Sequence, residues 1–255
     1  MAESFGTDPE RYDRTRPRYP QPMVDAILHA IPGRELLDVG IGTGISAQPF
    51  LDAGCRVLGV EVDPRMAEYA RHRGFAVEVA KWEEWDPAGR TFDAVIAGQA
   101  WHWIDPVVGP ARAAQVLRPE GRLAVFWNVS EPPADLAEAT AAVYRRVLPD
   151  SPFSRISTPG LAAYDSQLTR AADGIRETGA FAEPQRWEFG WERFYTRDEW
   201  LDQVPTAGGH SRFPKDKLDE LLAGIGEAID AAGGHFTVKY VTAVVTAVVA
   251  GVELA

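Results

Sequence analysis

The stretch that decides the fold is ELLDVGIGTGISAQPFL, residues 35–51. A short apolar run, Glu35–Val39, passes directly into Gly40-Ile41-Gly42-Thr43-Gly44, and a helix is expected beyond. Runs of this length and character suit strands buried on both faces. The glycines let the chain turn sharply and lay bare backbone against a ligand, where a Cβ would collide. Pro49 fits the following helix only in its first turn. Alone, a glycine-rich turn between strand and helix is a weak signal, because such turns are common.

Outward from that loop a rhythm appears. Apolar runs at Glu35–Val39, Arg56–Glu61, Phe75–Val79, Phe92–Ala97 and Arg122–Asn128 predict strands. Between them, Asp63-Pro64 and Asp105-Pro106 each set a side-chain acceptor before a proline at the first helical position. Gly54 and Gly74 fall where helices should end, and Pro119-Glu120-Gly121 predicts a tight turn into the fifth strand. Alternating strands and helices imply an α/β, doubly wound, mainly parallel sheet with helices on both faces. In such sheets ligands lie at the carboxyl ends of the strands, where strand order reverses.

The second predicted strand strengthens the reading of the loop. It ends VLGVEVDP, which puts Glu61 about twenty residues past the glycines, at the tip of the neighbouring strand. A carboxylate there can accept hydrogen bonds from both hydroxyls of a ribose, so loop and acid read as a nucleoside-binding pair. A pyrophosphate site is usually spaced GxGxxG. Here Gly44 comes one residue early and Ile45 takes the dinucleotide position, which disfavours a dinucleotide.

The rest of the chain is less regular. Helices are expected at Ala134–Leu148, Leu168–Thr178, Asp198–Val204 and Lys215–Ala231, and an aromatic strand at Gln185–Tyr195. Asp150–Ala163 reads as a loop or lid, and the Val-rich segment Tyr240–Val252 as a buried final strand. No internal repeat or long linker divides the chain, so residues 1–255 read as one domain.

Composition bounds the function. The 255 residues are 45% hydrophobic and 25% charged, with a formal net charge of −11. That sign repels phosphate backbones and anionic lipid, so neither nucleic acid nor a membrane is the expected partner. A local basic patch could override that sum, and Arg11, Arg14, Arg16 and Arg18 are one candidate. Cys55 is the only cysteine, which excludes an intrachain disulfide and metal sites built on several thiolates. The first twenty residues hold no apolar signal-like stretch, and Tyr240–Val252 is too short to span a bilayer, so a cytoplasmic protein is expected.

Taken in order from Leu36 to Asn128, these segments resemble the class I S-adenosylmethionine-dependent methyltransferases, and within them the small-molecule branch that contains trans-aconitate-type enzymes. LLDVGIGTG resembles the first motif of that family, VLGVEVDPRM the second, KWEEW (81–85) the adenine segment, FDAVIAGQAWHWID (92–105) the fourth strand and its exit, and VLRPEGRLAVFWN the turn and fifth strand. RPRYP (16–20), preceded by Tyr12, resembles an element that closes over the site. Pro119-Glu120-Gly121 departs from the usual Pro-Gly-Gly, and Ile41 stands where Cys or Ala is frequent.

The resemblance implies a Rossmann-like seven-stranded sheet with helical lid insertions. It implies a cofactor half at residues 34–130, an N-terminal lid at 1–33, cap or acceptor-side elements at 131–184 and 193–233, and a final strand at 234–255. It implies S-adenosylmethionine as cofactor, S-adenosylhomocysteine as product, and a small-molecule acceptor methylated on a carboxylate or hydroxyl oxygen. Cofactor contacts carried over are Asp38, Gly40, Ile41, Gly42, Thr43, Gly44, Glu61, Val62, Met66, Trp82, Glu83, Gly98 and Gln99. A nucleotide-dependent oxidoreductase and a non-catalytic cofactor-binding module are the competing readings.

Methyl transfer from a sulfonium needs no activated enzyme nucleophile and no metal, only alignment and exclusion of water. At the exit of the fourth strand, Trp101 and Trp103 either wall the acceptor pocket or pack the loop. His102 either deprotonates an acceptor hydroxyl or is held by backbone. Asp38 either reaches the methionine end of the cofactor or pairs with loop amides, and Asp63 reads as a helix cap. Tyr12 and Arg16 are lid contacts to a carboxylate or part of a solvated basic arm. Trp187, Phe189, Trp191 and Phe194 fit sheet packing. Oligomeric state has no signature in the sequence.

Overall fold

The computed structural model describes residues 6–151 and 160–250. Its centre is a seven-stranded sheet: β1 Glu35–Val39, β2 Arg56–Glu61, β3 Ala76–Val79, β4 Phe92–Gly98, β5 Leu117–Glu131, β6 Gln185–Thr196 and β7 His235–Val248, in the order 3-2-1-4-5-7-6. β3, β2, β1, β4 and β5 pair in parallel, and β7 runs antiparallel to both β5 and β6. Strand order reverses beside β1, which has β2 on one side and β4 on the other. The mainly parallel sheet expected from the alternation is present.

Neighbouring residues of β1 sort to opposite layers because strand side chains alternate. Leu36 joins Met23, Ile27, Phe50, Ala67 and Ala70 on one face, beneath α2 (Gln21–His29), α3 (Gln48–Asp52) and α4 (Pro64–His72). Leu37 joins Trp82, Trp85, Trp101, Ala113, Leu168 and Ile175 on the other, beneath α5 (Val108–Val116) and α7 (Asp165–Glu177). Helices therefore cover both faces. A third cluster gathers α6 (Ala134–Val147), α8 (Arg197–Gln203) and α9 (Lys215–Ala231) against Tyr195, Phe236, Val238 and Tyr240. Leu221, Ile225 and Ile229, spaced four apart along α9, are fully buried there. Each such side chain contributes about 1.5–3 kcal/mol.

The local signals act as their chemistry requires. Asp63 caps α4 by accepting from the Arg65 N–H at 2.9 Å, with Pro64 opening the helix. Pro49 lies in the first turn of α3. Gly54, Gly74 and Gly179 follow helices with φ of +84°, +94° and +62°. Three boundaries differ from expectation. Asp105 accepts from the N–H groups of Val107 and Val108, so α5 starts at Val108, beyond Pro106. The Pro119-Glu120-Gly121 turn is absorbed into β5, where Glu120 takes φ +63° and the register with β4 shifts. β7 begins at His235 because it pairs with β6 from His235 to Thr246, ahead of its pairing with β5 from Lys239.

The N-terminal segment, with α1 at Pro9–Thr15, reaches the ends of β2 and β5, where Gly6 lies against Asp63 and the Arg18 carbonyl accepts from Asn128. Its arginines do not form a basic patch. Arg11 and Arg14 both bind Asp202, Arg18 pairs with Asp13 at 3.2 Å, and Arg16 donates to the Thr206 carbonyl and sits 5.0 Å from the Tyr12 ring centre. Phe194 departs from the packing expected of its strand and is 56% exposed. Of the expected lid at 150–163, residues 152–159 lie outside the described residues, as do 1–5 and 251–255 of the outer segments. Among the described residues no helix is long and apolar enough to cross a membrane.

Candidate active site

The turn after β1 is fixed from below. The N–H groups of Gly40 and Ile41 donate to the Val60 carbonyl at 2.8 and 3.3 Å, and that of Gly44 to Ile41 O at 2.9 Å. Ile41 turns its side chain inward over Gly59, and the 2%-exposed residue leaves only backbone to a ligand. The three glycines serve different ends. A Cβ on Gly40 would meet Ala100 at 2.5 Å, and one on Gly44 would meet the Phe75 ring at 2.4 Å. Those two are required by packing as well as by positive φ. At Gly42, φ is +57° but the nearest side chain, Met66, is 3.5 Å away. Gly42 is thus the position where bare backbone faces outward without a packing reason.

Glu61 reaches this turn. Its Oε2 accepts the Gly42 N–H at 2.8 Å, and its Oε1 accepts the Asp63 N–H at 2.9 Å. Burial raises its pKa, while the amides of Asp63, Gly42 and Val62 pull it down. A carboxylate has about four lone-pair sites, so the two hydrogen bonds from Gly42 and Asp63 leave room for two hydroxyl donors.

Asp38, at the end of β1, is completely buried. Its Oδ2 accepts from Ser46 Oγ at 2.6 Å, in place of the loop amides anticipated as its alternative partners. Its Oδ1 has no hydrogen-bond partner among the described residues, nor does Thr43 Oγ1 in the glycine turn. Burial pushes the Asp38 carboxyl up to about 8, against the Ser46 bond and with help from the Glu61 charge. Buried oxygens without partners are rare in folded proteins.

The adenine segment sorts differently from its sequence reading. The Trp82 indole points into the core, donating to Gly109 O at 3.1 Å and stacking on Trp85. The Glu83 carboxylate accepts the Asp105 N–H at 3.0 Å. Each side chain is engaged with α5 or its approach. Met66, in the first turn of α4, lies 3.5 Å from where a Cβ on Gly42 would be, and Val62 directly follows Glu61.

The exit of β4 is strained and anchored. A Cβ on Gly98 would lie 2.7 Å from Tyr19 Oη. Gln99 has φ +56°, its N–H donates to Phe126 O at 2.9 Å, and its Nε2 donates to Asn128 O at 3.1 Å. A non-glycine residue at positive φ is uncommon and persists only where its surroundings hold it. Trp101 is 3% exposed and belongs to the core, whereas Trp103 is 40% exposed. His102 Nδ1 accepts the Trp127 indole N–H at 3.2 Å, and burial lowers its pKa to about 4. An imidazole whose Nδ1 lone pair is occupied carries its proton on Nε2. The general-base role expected of His102 does not fit that arrangement.

Further residues complete the region. Arg73, at the C-terminus of α4, donates to Thr43 O at 2.8 Å, to Gln48 Oε1 at 2.8 Å and to Asp13 at 2.6 Å. Asn128 Nδ2 donates to Arg18 O, and its Oδ1 accepts from Thr242, which in turn accepts from Trp191 Nε1. Arg16 makes no ion pair with a carboxylate among the described residues. Its charge reaches Tyr19, Tyr164 and Tyr195, whose hydroxyls burial drives upward. Only the glycines and Glu61 stood out by spacing; the others depend on contacts between segments far apart in sequence.

With this geometry in view, comparison with known proteins decides the family. Residues 37–125 match the family described as a methyltransferase domain. The chain carries a class I methyltransferase domain of the S-adenosylmethionine-dependent kind. An uncharacterized methyltransferase of Mycobacterium tuberculosis is 36% identical over 133 residues, 51% of this chain and 54% of that protein. A demethylmenaquinone methyltransferase of Corynebacterium urealyticum is 28% identical over 195 residues, 74% of this chain and 79% of that protein. The chain spans about half the length of the first curated relatives it matches. In fold, the methyltransferase domain is similar to a proposed type II methyltransferase from Anaeromyxobacter dehalogenans, with TM-score 0.64 at 23% identity over 91% of this chain and 97% of the other. The trans-aconitate-type branch expected from the motifs is not singled out by these relatives.

Proposed function

We propose that this chain transfers the methyl group of S-adenosylmethionine to a carboxylate or hydroxyl oxygen of a small-molecule acceptor by in-line displacement. The observation that carries the reading is the 2.8 Å bond between Glu61 and the Gly42 N–H, which joins the outward-facing glycine to the acid on the neighbouring strand tip. The residues present suit the cofactor. Glu61 has lone pairs for the two ribose hydroxyls, and Gly40, Ile41, Gly42, Thr43 and Gly44 offer backbone at the turn. Asp38 Oδ1, buried and without a partner, suits a cationic amine or sulfonium. Val62, Met66, Trp82 and Glu83 would frame adenine through backbone and aliphatic contact, and Gly98 and Gln99 the methionine end.

Bound there, S-adenosylmethionine supplies an electrophilic methyl group on a neutral-leaving sulfur. The chain's own contribution is orientation and dryness. Trp101 stiffens the β4 exit from within the core, and Trp103 offers an exposed indole face beside it. Tyr12 and Arg16 belong to a lid at residues 1–33, with Arg16 positioned for a carboxylate. Segments 131–184 and 193–233 serve as the acceptor-side cap of one domain in the cytoplasm.

Titration calorimetry with S-adenosylhomocysteine tests the cofactor assignment. Saturable binding that falls at least tenfold in Glu61→Ala is expected; no heat with the wild-type protein would remove the reading. Mass spectrometry of a metabolite screen with labelled cofactor tests the acceptor. Relatives named demethylmenaquinone methyltransferase make a demethylmenaquinone one compound to include, and methyl transfer to carbon or nitrogen alone would overturn the oxygen assignment.

A further inference from the structure

We propose that Trp127 fixes His102 as a hydrogen-bond donor to the acceptor, with the ring proton held on Nε2, so that His102 orients the incoming oxygen and takes no proton from it. This rests on the methyl-transfer reading above.

The tautomer follows from the donor inventory. An indole nitrogen has a proton and no lone pair to offer, so it can only donate. Trp127 Nε1 lies 3.2 Å from His102 Nδ1, which must therefore be the unprotonated nitrogen. In a neutral ring the proton is then on Nε2. Protonating Nδ1 would set two N–H groups against each other and strand the indole donor in the core.

Trp127 has little freedom to yield. It is 1% exposed, sits in β5 between β4 and β7, and lies opposite Ala243 in the antiparallel register. The β4 exit that carries His102 is tied to the same strand by the Gln99 bonds to Phe126 O and Asn128 O. Three consecutive residues of β5, Phe126, Trp127 and Asn128, thus fix both ends of the turn from Gln99 to His102. His102 Nε2 has no hydrogen-bond partner among the described residues. The ring lies at the carboxyl edge of the sheet, where ligands of such folds sit. No charged group contributes to the depressed basicity of the ring; burial alone accounts for it.

The chemistry changes accordingly. The acceptor oxygen donates a lone pair to the methyl carbon, the O–CH3 bond forms as the S–CH3 bond breaks, and the released pair stays on sulfur. No proton passes to His102 in this step. An acceptor oxygen already ionised at neutral pH, or one that loses its proton to water afterwards, meets the Nε2–H as a hydrogen-bond acceptor. Trp127 is a positioning residue in this scheme, acting through His102.

Nitrogen-15 NMR on histidine-labelled protein reads the tautomer directly, with the His102 signals assigned by their loss in His102→Gln. The expected spectrum at pH 7 has an unprotonated Nδ1, a protonated Nε2, and no titration above pH 5. A wild-type signal with the proton on Nδ1, or a midpoint near the ordinary histidine value, overturns the proposal. In Trp127→Phe the two tautomers should mix and the midpoint should rise; an unchanged tautomer also counts against Trp127 as its cause. Once an acceptor is in hand, kcat/KM should stay flat from pH 6 to 8, where a base of ordinary imidazole pKa imposes about a fourfold rise. His102→Gln, which keeps an N–H donor, should retain at least tenfold more kcat/KM than His102→Phe, and equal losses would overturn the donor role. Failure of S-adenosylhomocysteine to bind would instead strike the functional reading, leaving the tautomer measurement intact.

Discussion

Arg73 and Asp13 meet at 2.6 Å behind the glycine turn, joining the end of α4 to the N-terminal arm. The same guanidinium holds Thr43 O and Gln48, so one side chain supports the turn and its cover together. Both partners are largely shielded, with side-chain exposures of 23% and 11%. Arg73→Met should cost about 2–4 kcal/mol and lower Tm by roughly 5–10 °C. A double-mutant cycle with Asp13→Asn should give a coupling of about 1–2 kcal/mol by thermal denaturation. Additive losses would show that the pair does not act as a unit.

Gly42 and Gly44 should respond in opposite ways to the same methyl group. Gly44→Ala drives a Cβ into the Phe75 ring at φ +92° and should destabilise the fold by about 2–4 kcal/mol. Gly42→Ala meets only Met66 at ordinary contact and should cost about 1–2 kcal/mol, for its φ alone. Calorimetry should nevertheless find the larger loss of S-adenosylhomocysteine affinity, relative to stability, in Gly42→Ala.

Asp38 makes stability depend on pH with a definite sign. Its folded-state carboxyl is raised from 3.8 to about 8, so between those values the native protein binds more protons than the unfolded chain. Its contribution is complete below the unfolded value and is lost as pH rises through about 8. Asp38→Asn should therefore gain stability relative to wild type as pH rises from 5 to 9, read as the difference in Tm. A difference that stays constant across that range would contradict the buried neutral carboxyl.

Thr242 is the middle of a buried chain from Trp191 Nε1 to Asn128 Oδ1. Thr242→Val keeps the shape of the side chain but leaves a donor and an acceptor unsatisfied at a fully buried position. Chemical denaturation should show a loss of about 2–3 kcal/mol. Because Asn128 also holds Arg18 O, protease sensitivity of the N-terminal arm should rise in the same variant.

What could be read from the sequence was what is local. Strand runs, Asp63 as a cap, Pro49 in a first turn and the glycine stops of α3 and α4 all arise within a few residues, and each appears where its chemistry places it. The Gly42–Glu61 pair was legible because two adjacent parallel strands fix the distance between their tips. Arg73, Asn128 and Trp127 were not, because their partners come from strands and arms whose proximity only the folded sheet creates. Trp82 and Glu83 likewise have partners that spacing does not announce: the Trp82 indole bonds the Gly109 carbonyl of α5, and the Glu83 carboxylate takes the Asp105 N–H before that helix.

The N-terminal arm finds its carbonyl and carboxylate partners at Asp202 and Thr206, and Arg193 reaches back to Thr15 O. The two leaves of this clasp are thus made almost two hundred residues apart. A fragment cut after β5 would retain the sheet strands that carry the glycine turn and Glu61, yet leave Arg11, Arg14 and Arg16 facing water with nothing to grip. Shortening the protein from either end removes one partner of each of these contacts.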